Sequence, residues 1–89
     1  MAWKIEFDER AVKDLSKLDR LQSRRIITFL YRRLALLDDP RSIGEALKGK
    51  RFLGMWKYRV GDYRLIARIR DQQITIVILR VGHRSQVYD

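Results

Sequence analysis

The sequence predicts an α+β fold: strand, helix, helix, then three antiparallel strands, with the helical hairpin packed on one face of a small twisted sheet. Three observations predict it. From Met55 to Arg70, apolar and basic residues alternate on either side of a Gly61-Asp62 turn, as in two arms of a β-hairpin. Between Asp8 and Leu37, apolar residues recur at helical spacings of three and four. The run from Ile74 to Val81 is apolar on both sides, as a central strand is.

In chain order, Trp3, Ile5 and Phe7 alternate with Lys4 and Glu6, which predicts a short strand with one buried face. Asp8 stands where an N-cap belongs, and Glu9 follows in the first turn, where a carboxylate favours the positive helix end. Ala11, Val12, Leu15 and Leu18 then form an apolar stripe. Asp19 begins a second helix, and Gln22 completes a D-x-x-Q capping box. Ile27, Leu30, Leu34 and Leu37 give that helix an apolar face, which Ile26, Phe29, Tyr31 and Leu36 widen. Asp38-Asp39-Pro40 ends it, because the residue before proline disfavours helical backbone. Arg24-Arg25 and Arg32-Arg33 lie on the outer side, as a solvated helix face or a nucleic-acid contact. Arg41 to Gly54 reads as a loop with three glycines and the basic cluster Lys48, Lys50 and Arg51. The hairpin follows, and a turn at Asp71-Gln72-Gln73 leads into the last strand.

Eighty-nine residues predict one domain spanning 1–89. With no cysteine and one histidine, disulfides, thiolate metal sites and His-cluster metal sites are excluded, and no cofactor is expected. The N-terminus lacks the apolar core of a signal peptide and no run approaches membrane-spanning length, so a cytoplasmic protein without membrane contact is expected. The net charge of +9 is uneven. Residues 1–40 hold nine Lys/Arg against seven Asp/Glu, whereas residues 41–89 hold eleven against four. The second half carries the field that attracts a polyanion, nucleic acid or an acidic protein, although a bias for solubility gives the same charge.

The hairpin shows where that field is focused. Trp56, Tyr58 and Val60 share a face with Tyr63, Leu65, Ala67 and Ile69. Lys57, Arg59, Arg64, Arg68 and Arg70 share the other, with Ile66 among them. No Ser-His-Asp order, phosphate-binding glycine loop or carboxylate cluster for Mg²⁺ accompanies them. Arginines and lysines beside tyrosines can nevertheless support phosphodiester cleavage by an RNA's own 2′-OH. The protein need only align the attack, stabilise charge at phosphorus and protonate the leaving 5′-oxygen.

The segments Leu47-Lys48-Gly49, Trp56-Lys57-Tyr58-Arg59-Val60, Gly61-Asp62-Tyr63-Arg64-Leu65-Ile66 and Val81-Gly82-His83-Arg84-Ser85-Gln86-Val87-Tyr88 resemble, in order and spacing, the RelE family of toxins from toxin–antitoxin modules. Phe7-Asp8-Glu9-Arg10-Ala11 and Lys17-Leu18 extend the resemblance over nearly the whole chain. It implies a fold similar to compact microbial ribonucleases and cleavage of mRNA in the ribosomal A site, inhibiting translation. Its implied partners are a RelB-like antitoxin, the ribosome and mRNA, with operator DNA reached only through the antitoxin. By the same resemblance Lys57 and Arg59 match paired basic residues of one strand, and Arg64 matches a phosphate-binding arginine. Arg84 matches the arginine at the leaving group, and Tyr88 the tyrosine near the 2′-OH. The basic cluster Lys48, Lys50 and Arg51 is expected to bind RNA beside them. This chain ends one residue after Tyr88, where several relatives continue into a helix.

Each position also has a structural reading. Arg59 and Arg64 are potential cross-strand partners for carboxylates, Lys57 is a common residue on an exposed strand, and Tyr88 suits a cap on the sheet edge. His83 has the side chain of a general base. By strand alternation, however, it faces away from Arg84, as a surface or supporting residue does. Two other functions stay open: a ParE-type inhibitor of DNA gyrase, and a non-enzymatic basic module that binds nucleic acid by charge alone.

Overall fold

The computed structural model describes residues 2–86. Strand β1 (Lys4–Phe7) leads into helices α1 (Glu9–Ser16) and α2 (Arg20–Arg32). The strands β2 (Glu45–Ala46), β3 (Met55–Val60), β4 (Tyr63–Arg70) and β5 (Thr75–His83) follow. They form one sheet in the order β1-β5-β4-β3-β2. β1 pairs parallel to β5, from Lys4 opposite Thr75 to Phe7 opposite Ile78, and the remaining pairs are antiparallel. The sheet is therefore mixed, since the two helices after β1 carry the chain over far enough for a parallel return. The hairpin arms run as the alternation predicts, and β5 is central.

Both helices start on the expected aspartates. The Asp8 carboxylate accepts from the Arg10 N–H at 3.0 Å, and that of Asp19 from the Gln22 N–H at 2.9 Å. The predicted stripes need correction at their margins. Ala11 is buried on α1 but Val12 is 54% exposed, because this helix of eight residues meets β5 through the Ala11–Leu15 side only. α2 stops at Arg32 instead of reaching Asp38. Beyond it the backbone leaves the helix at Arg33, with φ −125° and ψ −65°, and the Ala35 carbonyl accepts from the Trp3 N–H at 2.7 Å, which ties this turn to the chain just before β1. Leu34–Leu36 make a single 3₁₀ turn, which buries Leu34 and leaves Leu36 exposed; Tyr31 is exposed as well.

The core lies between the helices and one face of the sheet. Ile26, Leu30 and Leu34 meet Tyr58, Leu65, Ile76 and Ile78, all fully buried. The Tyr58 ring tilts against Phe29 with centroids 6.3 Å apart, and its hydroxyl donates to the Pro40 carbonyl at 2.7 Å. Burial raises the Tyr58 pKa, so it is a neutral donor. A bulge between Ile66 and Ala67 leaves Leu79 as an extra residue: Ile66 faces Arg80, whereas Ala67 faces Ile78. It adds twist without exchanging the faces of β4. The last turn is one residue longer than predicted. Ile74 has φ 49°, a left-handed backbone outside the strand region, so β5 begins at Thr75. No helix among the described residues is long and apolar enough to cross a membrane.

Candidate active site

Period-two geometry puts the alternate residues of β3 and β4 on the face that the helices leave uncovered. Arg59 and Arg64 stand directly opposite each other across the hairpin. Lys57 lies between Ile66 on β4 and Glu45 on β2, and its Nζ is 3.4 Å from Glu45 Oε2. Lys57, Arg59, Arg64 and Glu45, with Ile43 and Gly44, line an open pocket of about 290 Å³. Among the described residues no carboxylate is within ion-pair distance of Arg59 or Arg64. The expected open basic face is present. It is not uniformly bare, because Ile66 is buried within it.

The Gly61-Asp62 turn fixes one end of the pocket. Gly61 has φ 59°, and a Cβ there would lie 3.0 Å from Arg25 Nη1, so glycine serves both the turn and the approach of α2. Arg64 Nη1 donates to the carbonyls of Gly61 at 3.1 Å and Tyr63 at 3.0 Å. Part of its donor set is thereby used to hold the guanidinium against the turn, while its remaining N–H groups stay available. The Arg84 backbone N–H donates to the Asp62 carbonyl at 2.8 Å, tying the end of β5 to the same turn. The Arg84 side chain is exposed and does not line the pocket.

The opposite wall is the segment after Pro40, read from the sequence as loop. A Cβ on Gly44 would come within 2.9 Å of the Tyr58 ring, so the chain runs directly over that ring. Pairing of Glu45 with Lys57 then brings this segment into the sheet as β2. Ile43, Gly44 and Glu45 were missing from the sequence-derived site. β2 is two residues long, and only its register with Lys57 places it there, so no local pattern marks it.

Lys48, Lys50 and Arg51 are exposed and do not line the pocket. Their loop joins at the Met55 end of β3, where the Leu47 N–H donates to the Met55 carbonyl at 3.1 Å, whereas Arg59 and Arg64 flank the other end. The Arg51 guanidinium sits over the Phe52 ring, 5.3 Å from its centroid. Tyr88 lies outside the described residues. His83 pairs with Tyr63 and meets its ring edge-on at 5.9 Å, on the core side of the sheet; its Nδ1 is 3.0 Å from Ser85 Oγ. No three His, Asp or Glu side chains gather among the described residues where they could hold a metal ion.

Two other arginines are fully engaged. Arg41 reaches Asp71 through both terminal nitrogens at 3.0 and 2.6 Å, and Asp39 at 3.4 Å, with Trp56 beneath it. Arg80 Nε donates to Asp14 Oδ2 at 2.9 Å, and the same oxygen accepts from the Val81 N–H at 2.9 Å. Hydrogen bonds to these carboxylates raise the pKa of both arginines.

The family described as ParE toxin of type II toxin-antitoxin system, parDE, matches residues 5–88. The chain is 34% identical to Toxin RelG of Mycobacterium tuberculosis, covering 99% of this chain and 98% of that protein. It is 31% identical to the mRNA interferase toxin RelE of Escherichia coli, covering 99% and 92%. Among solved structures it resembles a chain of the toxin–antitoxin complex RelBE2 from Mycobacterium tuberculosis, with TM-score 0.85, 32% identity and coverage of 97% and 95%. The isolated Escherichia coli RelE toxin superposes with TM-score 0.72 at 26% identity, covering 98% and 92%.

Proposed function

Because the chain belongs to the RelE family of toxins from type II toxin–antitoxin modules, we propose that it arrests translation by cleaving mRNA in the ribosomal A site. The observation that carries this reading is the facing pair Arg59 and Arg64, which share one open pocket with Lys57 and Glu45 and have no carboxylate within ion-pair distance among the described residues. Two guanidiniums that present N–H donors to the same space suit the spread charge of a phosphorane-like transition state.

In this reaction the 2′-oxygen attacks the adjacent phosphorus, the bond to the 5′-oxygen breaks, and a 2′,3′-cyclic phosphate and a 5′-hydroxyl result. No metal ion is needed for that chemistry. Arg64, braced by its bonds to the turn, holds the scissile phosphate, with Lys57 and Arg59 sharing the developing charge. Arg84 serves the leaving oxygen, and Tyr88 the 2′-OH. Lys48, Lys50 and Arg51 extend the positive surface toward flanking RNA. A guanidinium is a weak acid, so free RNA is a poor substrate; the ribosome must bend the message into line. The charge of the C-terminal half and the complexes formed by similar toxins support a cognate antitoxin that covers the basic face. The whole chain acts as one domain in the cytoplasm.

The ParE description of the matching family favours a second reading, inhibition of DNA gyrase. Toeprinting of a translation reaction separates the two. A new stop within the A-site codon, with a 2′,3′-cyclic phosphate on the 5′ fragment, supports mRNA cleavage; an intact message with inhibited supercoiling supports the second.

A further inference from the structure

We infer that Glu45 is the general base of this site, taking the proton from the attacking 2′-OH. The inference rests on the ribonuclease reading above and adds to it a residue from outside the basic set. Of the six residues lining the pocket, only Glu45 brings a side chain that accepts a proton and cannot donate one; the charged others are donors only. Its position follows from the sheet. Glu45 is directly opposite Lys57 on β2, so both side chains project from the same face. Lys57 Nζ is 3.4 Å from Oε2, and the Glu45 side chain is 73% exposed, which leaves lone pairs open to the pocket. The backbone beneath it is held by the passage of Gly44 across Tyr58 and by the Tyr58 bond to Pro40.

A carboxylate in a phosphate pocket weakens binding of the anion, a cost that a catalytic role would offset. Deprotonation of the 2′-OH is such a role. As the 2′-O–P bond forms, the 2′-proton passes to the Glu45 carboxylate. As the P–O5′ bond breaks, the 5′-oxygen takes a proton from the Arg84 side of the site, and that proton is restored from Glu45 through solvent. No oxidant, metal or second substrate enters. Arg59 and Arg64 are donors to the phosphate throughout.

The test is single-turnover cleavage of ribosome-bound mRNA by wild type, Glu45→Gln and Arg84→Ala. Each is measured on a message with the normal 5′-oxygen and on one with a bridging 5′-sulfur, which departs without protonation. Glutamine keeps an oxygen for Lys57 but cannot take the proton, and at an exposed position it leaves the fold intact. Glu45→Gln should lose roughly a hundredfold or more on both messages, as loss of a general base does. The Arg84→Ala defect should largely vanish with sulfur. Affinity for ribosomes carrying a 2′-deoxy scissile nucleotide should stay within about twofold of wild type. Overturning results are Glu45→Gln cleavage within about threefold of wild type, rescue of this variant by sulfur, or an affinity loss that matches the rate loss. In those cases wild-type cleavage leaves the ribonuclease reading standing. Failure of wild type to cut either message defeats that reading first, and Glu45 with it.

Discussion

Arginines occupy two kinds of place in this protein. Outside the pocket, Arg41 in the turn after Pro40 and Arg80 on β5 pair with carboxylates: Asp71 and Asp39 hold one, Asp14 the other. In the pocket, Arg59 and Arg64 face each other, a cross-strand arrangement that costs stability relative to an opposite-charge pair. The paired arginines join segments distant in sequence, the turn after Pro40 to the β4–β5 turn and α1 to β5. The pocket arginines join nothing distant, since the bonds of Arg64 stay within its own hairpin. In the proposed function the paired arginines serve stability and the opposed pair serves the ligand.

The strongest way to break this division is to give a pocket arginine a carboxylate partner. Arg59→Glu places a carboxylate opposite Arg64 and should gain about 0.2–1 kcal/mol of stability in denaturant melts. The same change should lower single-turnover mRNA cleavage by roughly a thousandfold or more, because it replaces a transition-state donor with a like charge to phosphate. Next in size is Gly44→Ala. Its new Cβ would lie 2.9 Å from a Tyr58 ring that its hydrogen bond to Pro40 prevents from moving. It should cost about 1–3 kcal/mol by thermal unfolding, with a loss of cleavage as the pocket wall shifts.

Asp14→Ala removes the acceptor of the Val81 N–H and of Arg80, and should cost about 1–2 kcal/mol at neutral pH. Burial pushes the Asp14 pKa up, but the hydrogen bonds from Arg80 and Val81 and the charges of Arg80 and Lys17 outweigh it, so the carboxyl titrates below its usual value. A group with a lowered folded-state pKa stabilises fully above its unfolded value and loses that contribution as pH falls through the folded one. The gap between wild type and Asp14→Ala should therefore close as pH is lowered below about 4, as urea midpoints across pH will show. Arg41→Ala should have the smallest effect, a slight fall in melting temperature, since its partners are exposed.

Local pattern carried much of the fold, and long-range register carried the rest. The hairpin, both helix starts and the central strand follow from alternation, capping aspartates and a doubly apolar run. The early end of α2 was not legible, because the backbone leaves the helix at Arg33, where no proline or glycine marks a stop. The same holds for the site. Lys57, Arg59 and Arg64 are spaced by the pleat and share a pocket as expected. Glu45 enters only through its pairing with Lys57, and Arg25 only through its approach to Gly61. Lys48, Lys50 and Arg51 were grouped with the site by charge, yet the loop joins at the far end of β3. Val12 and Tyr31 show that a helical stripe marks a face without marking its width.

The division between paired and pocket arginines is tested most directly by four alanine substitutions in one assay. Arg59→Ala, Arg64→Ala, Arg41→Ala and Arg80→Ala are compared in single-turnover cleavage of ribosome-bound mRNA, with the melting temperature of each measured alongside. Arg64→Ala should lose roughly a hundred- to thousand-fold in rate, and Arg59→Ala at least about tenfold, without a drop in melting temperature. Arg41→Ala and Arg80→Ala should melt lower and, once folded, cleave within about threefold of wild type. Equal rates for all four, or rate losses that simply follow melting temperature, would contradict the assignment of Arg59 and Arg64 to the scissile phosphate.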